Sequence, residues 1–156
     1  MRKTDSEYIR IAIDLAWKSR EQGNHPFGAI LVSKGGEVLL TAENTVLTEV
    51  DITGHAEINL IRIASHKYDP DFLASCSVYT STEPCPMCAG AIFWGNVRHV
   101  VYGLSEGSLY GIIGEDNQES LNLPCREIFS KGNKSIHVDG PILEEEALKV
   151  HEDFWI

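Results

Sequence analysis

The chain has 156 residues, the length of one domain, and its 43% hydrophobic and 23% charged residues are typical of a soluble globular protein. Its 13 basic and 23 acidic residues give a formal net charge of −10, which argues against extended nucleic acid as a partner. Charged residues interrupt the apolar ones at the N-terminus, so no signal peptide or membrane span is predicted. We therefore expect residues 1–156 to form a single cytoplasmic domain that does not contact membranes.

The first predicted element is a helix over residues 6–22, where apolar residues recur at three- and four-residue steps and Gly23 follows the end. Residues 28–33 and 37–44 are two strand-like runs on either side of Lys34-Gly35-Gly36. A short glycine-containing turn between two such runs predicts an antiparallel hairpin.

The central elements are predicted to alternate between helix and strand. Residues 55–67 have helical periodicity, and residues 75–81 are β-branched and aromatic enough for a buried strand. Pro84 breaks this pattern before a helix over residues 86–95. Residues 98–103 predict a further strand, connected in parallel across that helix.

The last third of the chain is harder to interpret. Residues 104–135 are rich in glycine and predict loops with short helical pieces, and residues 136–141 predict a last short strand. Residues 143–155 predict a terminal amphipathic helix. Alternating strands and helices indicate an α/β fold, with three layers, α/β/α, around a sheet of mixed strand directions.

The most specific motif is His55-Ala56-Glu57, followed by Pro84-Cys85-Pro86-Met87-Cys88. Cys85 and Cys88 are three residues apart at a predicted helix start, so both sulfurs lie on one face and can share one ion. His55 adds a neutral nitrogen, and this soft Cys₂His set suits zinc better than magnesium or calcium. Since no signal peptide is predicted, metal binding is favoured over disulfides for the C-x-x-C pair.

Glu57 indicates catalysis rather than a structural metal site. Three protein ligands leave one zinc position open, where water binds and ionises near neutral pH. A carboxylate two residues from a ligand can accept that proton and return it to a substrate. The alternative is a structural site closed by Cys76, Cys125 or another histidine, with Glu57 an ordinary acidic residue of a first helical turn. The other histidines lack metal-like spacing to this cluster and are expected at the surface or in packing: His25, His66, His99, His137 and His151.

These motifs, together with the run over residues 82–92 and the strand over 100–103, resemble the cytidine deaminase-like superfamily, whose signature is H-x-E…P-C-x-x-C. The resemblance extends from about residue 6 to 112. Within the superfamily the chain is similar to the branch of bacterial guanine deaminases and tRNA adenosine deaminases. This implies a five-stranded sheet, a Zn²⁺ cofactor, hydrolytic deamination by water and assembly as a homodimer.

The same resemblance suggests substrate-binding residues. Asn44 corresponds to an asparagine that hydrogen-bonds the base, although a turn or cap role is the alternative. Phe27 lies in a Pro-Phe-Gly-Ala run similar to that of guanine deaminases and can stack on a purine, with core packing as the alternative. Trp94 is a candidate pocket wall by position, and core packing is again the alternative. Ala56, between the ligand and the acid, is also assigned to the substrate side, and Asp116 can recognise a purine nitrogen or amine unless it is only a solvated loop residue.

Two further regions bear on the substrate. Residues 108–114 lack the basic residue and the small-residue run of the tRNA enzymes, which favours a free nucleobase or nucleoside. Phe154 and Trp155 resemble the aromatic with which guanine deaminases close the pocket, sometimes from the partner subunit. We therefore expect a small-molecule deaminase, with guanine first. A tRNA adenosine deaminase, a pyrimidine or triazine deaminase, and a non-catalytic zinc-stabilised binding module are the alternatives.

Overall fold

The structure is a computed structural model that describes residues 2–114 and 116–155. It contains a five-stranded sheet whose strands lie in the order β2-β1-β3-β4-β5. The strands are β1 Gly28–Val32, β2 Val38–Glu43, β3 Ser77–Thr82, β4 His99–Leu104 and β5 His137–Asp139. The helices are α1 Asp5–Glu21, α2 Ala56–Lys67, α3 Pro70–Ala74, α4 Pro86–Trp94, α5 Glu106–Ile113, α6 Cys125–Ser130 and α7 Glu144–Lys149.

The sheet has mixed strand directions and an apolar core on each face. Strand β1 pairs antiparallel with β2 and β3, whereas β3, β4 and β5 run parallel. Because side chains alternate along a strand, Val78 and Val100 face the core formed with α2, α4 and α6, and Tyr79 and Val101 face the core formed with α1, α5 and α7. The α/β class and the mixed five-stranded sheet are thus confirmed.

Most predicted elements lie within two residues of their expected bounds. Helix α1 begins where Thr4 and Glu7 form a capping box, each side chain bonding the other's backbone amide. The hairpin of β1 and β2, the two central helices and the parallel crossover to β4 are also present. The sequence patterns that predicted these elements are local, which explains why the predicted and observed bounds agree.

The prediction of a terminal amphipathic helix over residues 143–155 is wrong in the length of the helix. Helix α7 ends at Lys149, and the following residues form turns in which Asp153 takes a positive φ of 58°. His151 is thereby fully buried. The reason is tertiary: contacts between the C-terminal segment and the sheet outweigh its helical periodicity.

The topology brings loops together at one end of the parallel strands. The chain leaves β3 at Thr82 and β4 at Leu104 on the same edge of the sheet. The crevice at the carboxyl ends of parallel strands is where α/β proteins bind ligands. No helix in the described part of the chain is long and apolar enough to cross a membrane.

Candidate zinc site and substrate pocket

Three metal-binding side chains meet where α2 and α4 begin. His55 and Cys85 are the N-cap residues of these helices, and Cys88 lies in the first turn of α4. His55 Nδ1 is 3.6 Å from Cys85 Sγ and 3.5 Å from Cys88 Sγ. Zn–S and Zn–N bonds in a tetrahedral site place sulfur and nitrogen about 3.5 Å apart. The three residues therefore fit a zinc ion as they stand.

The electrostatic surroundings favour a thiolate at Cys85. The neighbouring Cys88 thiol and the His55 imidazole lower the pKa of Cys85 to about 4, against the effect of burial. Its position at a helix N-terminus also favours negative charge. The other two cysteines do not join this cluster: Cys76 Sγ bonds the backbone oxygen of Phe72, and Cys125 begins α6.

Glu57 is a buried acid beside these three residues. It is the second residue of α2 and only 5% exposed, and it lines the same pocket as His55 and Cys85. Burial, with the charge of Cys85 beside it, raises the pKa of Glu57 to about 7. A carboxyl group in this environment can both accept and release a proton near neutral pH.

The pocket lies at the carboxyl ends of β3 and β4. Its cavity volume is about 80 Å³. The lining residues come from many parts of the chain: His25, Phe27, His55, Glu57, Thr82, Glu83, Cys85, Glu106, Leu109, Tyr110, Ile113, Glu119 and Trp155. Apolar and aromatic walls with a few converging polar groups are typical of small-molecule sites.

Glu83 is a pocket residue that joins the starts of two helices through hydrogen bonds. Its two carboxylate oxygens accept hydrogen bonds from the backbone amides of Glu106 and Cys125, both at 3.0 Å. Both amides lie in the first turns of helices, where they have no partner within the helix. Glu83 thus holds the starts of α5 and α6 against the loop that carries Cys85.

Glu106 has a spare hydrogen-bonding oxygen in the pocket. It is 2% exposed, and one oxygen accepts a bond of 3.3 Å from the Leu123 amide. The other oxygen, Oε2, is buried without a hydrogen-bond partner among the described residues, because the neighbouring Tyr110 hydroxyl donates to the backbone oxygen of Leu121. Burial raises the pKa of Glu106 to about 7.

The C-terminal segment forms one wall of the pocket. Trp155 lies against Phe27 and His25, with ring centroids 6.2 and 5.3 Å away. Its indole N–H donates a 3.0 Å hydrogen bond to Nδ1 of the buried His151. Phe154 packs edge-on against His25. Trp155, one of the two aromatics expected near the pocket, therefore lines the pocket of its own chain.

Asn44 and Ala56 are buried next to the pocket residues. The Asn44 backbone amide donates to the backbone oxygen of Phe27, and its side-chain oxygen accepts from the Val46 amide. Its side-chain nitrogen is buried without a hydrogen-bond partner among the described residues. Ala56, fully buried, is the first residue of α2 between His55 and Glu57.

Four of the expected substrate residues are outside the pocket lining: Asn44 and Ala56, which are buried, and Trp94 and Asp116, which are exposed. Trp94 ends α4 at the opposite end from the metal ligands and is 79% exposed, with the Lys134 ammonium 5.7 Å from its ring centroid. The pocket is at the other end of that helix, so Trp94 neither lines the pocket of this chain nor packs in its core. Asp116 lies in an exposed turn and does not line the pocket.

Several pocket residues were not predicted as such from the sequence, among them Glu106, Tyr110, Glu119 and His25. Each is distant from the His55 and Cys85 motifs in the chain, and none belongs to a local pattern. Glu83 directly precedes Pro84, so the metal motif itself was the signal that could have identified it. His25 was expected at the surface or in packing, and the structure places it on the pocket wall.

The fold and the site together define the class of protein. Residues 2–104 match the family described as the cytidine and deoxycytidylate deaminase zinc-binding region. The chain therefore belongs to this zinc-dependent deaminase family, which cleaves a C–N bond by hydrolysis.

Its relatives have different substrates. The chain is 38% identical over 152 residues to a probable cytosine deaminase of Schizosaccharomyces pombe, covering 97% of this chain and 92% of that protein. It is 41% identical over 96 residues to a guanine deaminase of Bacillus subtilis, covering 61% of each. A solved structure from studies of A-to-I editing by tRNA:A34 deaminases has a TM-score of 0.73 at 25% identity, covering 92% of this chain and 98% of that one. Deaminase chemistry is common to all three.

Proposed function

We propose that this deaminase acts on a free nucleobase, replacing a ring amino group by a carbonyl group and releasing ammonia, with cytosine as the first candidate. The observation that carries the proposal is the pocket closed by the chain's own Trp155. Its volume of about 80 Å³ is well below the roughly 300–1,000 Å³ typical of drug-sized ligands. A single base suits such a pocket better than a nucleoside or an RNA loop.

The length of the match to each relative favours cytosine over guanine as the substrate. The pocket wall extends along the chain from His25 to Trp155, further than a match of 96 residues can span. The 152-residue match to the probable cytosine deaminase includes α5, which supplies Glu106 and Tyr110. Guanine, which we expected first from the sequence, is the second candidate because Phe27 offers an aromatic wall to a purine.

In the proposed mechanism His55, Cys85 and Cys88 hold the zinc ion. Zinc, when bound, acts as a Lewis acid that makes water a nucleophile at neutral pH. Glu57 takes a proton from the attacking water and delivers it to a ring nitrogen. It then passes a second proton to the departing amine, so that water and the amino-heterocycle give a carbonyl compound and ammonia.

Asn44 and Glu106 are proposed to recognise the polar edge of the base. Each has a buried polar atom without a hydrogen-bond partner among the described residues, Nδ2 of Asn44 and Oε2 of Glu106. Such an atom costs about 1–3 kcal/mol if nothing satisfies it. A base with carbonyl and amino groups offers one partner of each kind. The aromatic side chains of Phe27 and Trp155 line the same pocket and would contact the flat ring.

The experiment is a screen for ammonia release from cytosine, guanine, adenine, cytidine and adenosine, with inosine formation measured in a tRNA anticodon stem-loop. We expect release from cytosine, or from guanine as the second candidate, and none from the nucleosides. Inosine in the stem-loop, or activity confined to nucleosides, would contradict the free-base proposal.

The role of Glu57 has its own test. Glu57→Gln is expected to lower the rate by about 10²–10⁴-fold, since the amide cannot move protons, while zinc content and thermal unfolding stay unchanged. Glu21→Gln, an exposed position at the end of α1, is the matched control and should be fully active. An active Glu57→Gln enzyme would refute the assignment.

Two expectations from the sequence stay predictions, the homodimer and the cytoplasmic location. The binding-module alternative is not retained, because the family and the relatives named above are deaminases.

A further inference from the structure

A second group of side chains of the types that bind metals lies at the other end of the parallel strands. His99 and His137 are the first residues of β4 and β5 and are paired in register, so their side chains lie side by side. Asp139 is two residues beyond His137 and shares its face of the sheet. Strand β4 carries the chain roughly 16 Å from His99 to the pocket edge at Leu104, which separates this group from the zinc site.

The three side chains converge on one another. Asp139 accepts hydrogen bonds from Nε2 of His99 at 2.9 Å and from Nε2 of His137 at 3.0 Å, one on each carboxylate oxygen. One donor atom from each residue lies within 4.8 Å of the other two. The two imidazole rings are nearly parallel, at 24° with centroids 5.5 Å apart. Nitrogen and oxygen ligands of a tetrahedral zinc ion lie about 3.4 Å apart, so each imidazole would move roughly half an ångström from Asp139 to admit one, and the two imidazole nitrogens, now within 4.8 Å, would take a similar spacing.

Ser77 provides the supporting hydrogen bond that metal-binding histidines usually have. Its hydroxyl is 2.8 Å from Nδ1 of His99, the ring nitrogen that faces away from Asp139. A hydroxyl can donate or accept. It therefore serves the tautomer that bonds Asp139 through Nε2–H, and equally the tautomer that offers a bare Nε2 to a metal ion. Ser77 pairs in register with His99 on β3, so the sheet itself sets this arrangement.

The group is open to incoming ions. The side chains of His137 and Asp139 are 73% and 40% exposed, and that of His99 is 27% exposed. A cation can enter from solvent and keep water on its outer side. Two imidazoles and one carboxylate suit the late first-row divalent metals better than magnesium or calcium, which prefer oxygen ligands alone.

We propose that His99, His137 and Asp139 form a second metal site, for Zn²⁺ or a similar late first-row divalent cation, independent of the zinc in the substrate pocket. The cation would lie between the two imidazoles and the carboxylate, while the proton now on Nε2 of each ring moves to Nδ1 or to solvent, so that both rings stay neutral. It does not rest on the proposed substrate, because metal binding is counted without turnover.

The test is a titration of the zinc-loaded protein with Zn²⁺, followed by isothermal calorimetry and by elemental analysis after gel filtration. We expect two metal ions per chain in the wild type and one in His137→Ala. The matched control is His66→Ala, an exposed histidine of α2, which should keep two. Ser77→Ala should weaken the second equivalent by about 10-fold or more while leaving the first unchanged.

A spectroscopic arm identifies the ligands. Co²⁺ added to the zinc-loaded protein should give a spectrum of nitrogen and oxygen ligation without thiolate charge transfer, and His137→Ala should lose it. Retention of the first zinc and an unchanged unfolding temperature show that the variant is folded. One ion per chain in the wild type, two in His137→Ala, or a cobalt spectrum with thiolate bands would overturn the proposal.

Discussion

His151 links the C-terminal segment to the pocket, and its protonation state follows from its contacts. Nδ1 accepts the indole N–H of Trp155, so the ring proton is on Nε2, which lies 3.5 Å from the hydroxyl of Thr82. The residue is fully buried, and burial, together with the charge of Arg20, lowers the pKa of His151 to about 4. The folded protein therefore keeps this histidine neutral.

Acid should weaken the fold through His151. The unfolded histidine has a pKa near 6.5, so between about pH 6.5 and 4 the unfolded chain binds a proton that the folded chain does not. The free energy of unfolding therefore falls as the pH falls through this window, by about 2 kcal/mol at pH 5 from this group alone. We expect the free energy of unfolding of His151→Asn to fall by about 2 kcal/mol less than that of the wild type between pH 7 and pH 5. Denaturant unfolding at the two pH values measures this difference.

The control for this prediction is His66→Asn, an exposed histidine of α2, which should keep the wild-type difference between the two pH values. Equal losses on acidification in the wild type and in His151→Asn would show that His151 does not carry the effect.

At the scale of the elements, α1 packs unusually closely on the sheet at Gly28. A Cβ atom at Gly28, the first residue of β1, would lie 2.5 Å from the backbone oxygen of Ala12 and 2.6 Å from Cβ of Leu15. It would also lie 2.8 Å from the backbone nitrogen of Ala16, so two of the three contacts are with the backbone of α1, which cannot move without the whole helix. The next residue before Gly28 is Phe27, so this contact also positions the pocket wall.

Gly28→Ala should therefore be destabilising. We expect a loss of about 1–3 kcal/mol in the free energy of unfolding, because α1 must shift away from β1. Gly111→Ala is the control: Gly111 is exposed within α5 and has nothing within 4 Å of the added Cβ, so alanine should stabilise the protein by about 0.5–1 kcal/mol. Denaturant unfolding of both variants measures the contrast, and a Gly28→Ala protein as stable as the wild type would contradict this view of the packing.

The elements that the sequence predicted well have local signals, and the others do not. Helix α1 has a capping box at Thr4, and the hairpin has a glycine turn. Helix α5 contains two internal glycines, which favour a loop, yet it forms because Leu109, Tyr110 and Ile113 bury against the sheet. Such tertiary contacts are not visible in a local window.

The same division applies to the site. His55, Glu57, Cys85 and Cys88 were predicted as a group because metal ligation demands a fixed spacing, and the structure brings the three ligands together. Glu106 and His25 reach the pocket only through the topology of the sheet. The convergence of His99 with His137 was equally invisible, because it depends on the register of two strands that are 38 positions apart.

At the scale of the whole molecule, large apolar side chains remain exposed next to the core helices. Trp94 at the end of α4 is 79% exposed and Ile63 on α2 is 46% exposed, and these helices pack against each other on one face of the sheet. Ile52 and Val50, in the segment before α2, are 85% and 90% exposed. Exposed apolar surface of this kind marks protein interfaces.

We expect this surface to form the homodimer interface. Wild-type protein should have twice the mass of one chain in light scattering after gel filtration. Trp94→Glu should yield monomers because it places a charge in the interface. Leu121→Glu is the control, since Leu121 is 60% exposed but lies outside α2 and α4, and it should stay dimeric. A monomeric wild type, or a dimeric Trp94→Glu, would contradict the assignment.

The pocket wall combines residues from the C-terminal segment with residues that precede β1. Trp155 contacts His25 and Phe27, which precede β1, and bonds His151 in its own segment. If this wall holds the substrate ring in both the ground state and the transition state, its removal weakens binding without impairing proton transfer.

Trp155→Ala should accordingly raise KM by about 10-fold, the equivalent of roughly 1.4 kcal/mol, and change kcat much less. Trp155→Phe keeps an aromatic face and loses the N–H donor to His151, so it separates the two contributions. We expect the KM of Trp155→Phe to lie close to that of the wild type, because the aromatic face contacts the substrate and the hydrogen bond to His151 does not. Steady-state kinetics on the base identified by the ammonia screen measures both constants, and a variant that loses kcat with unchanged KM would show instead that the C-terminal segment acts on the chemical step.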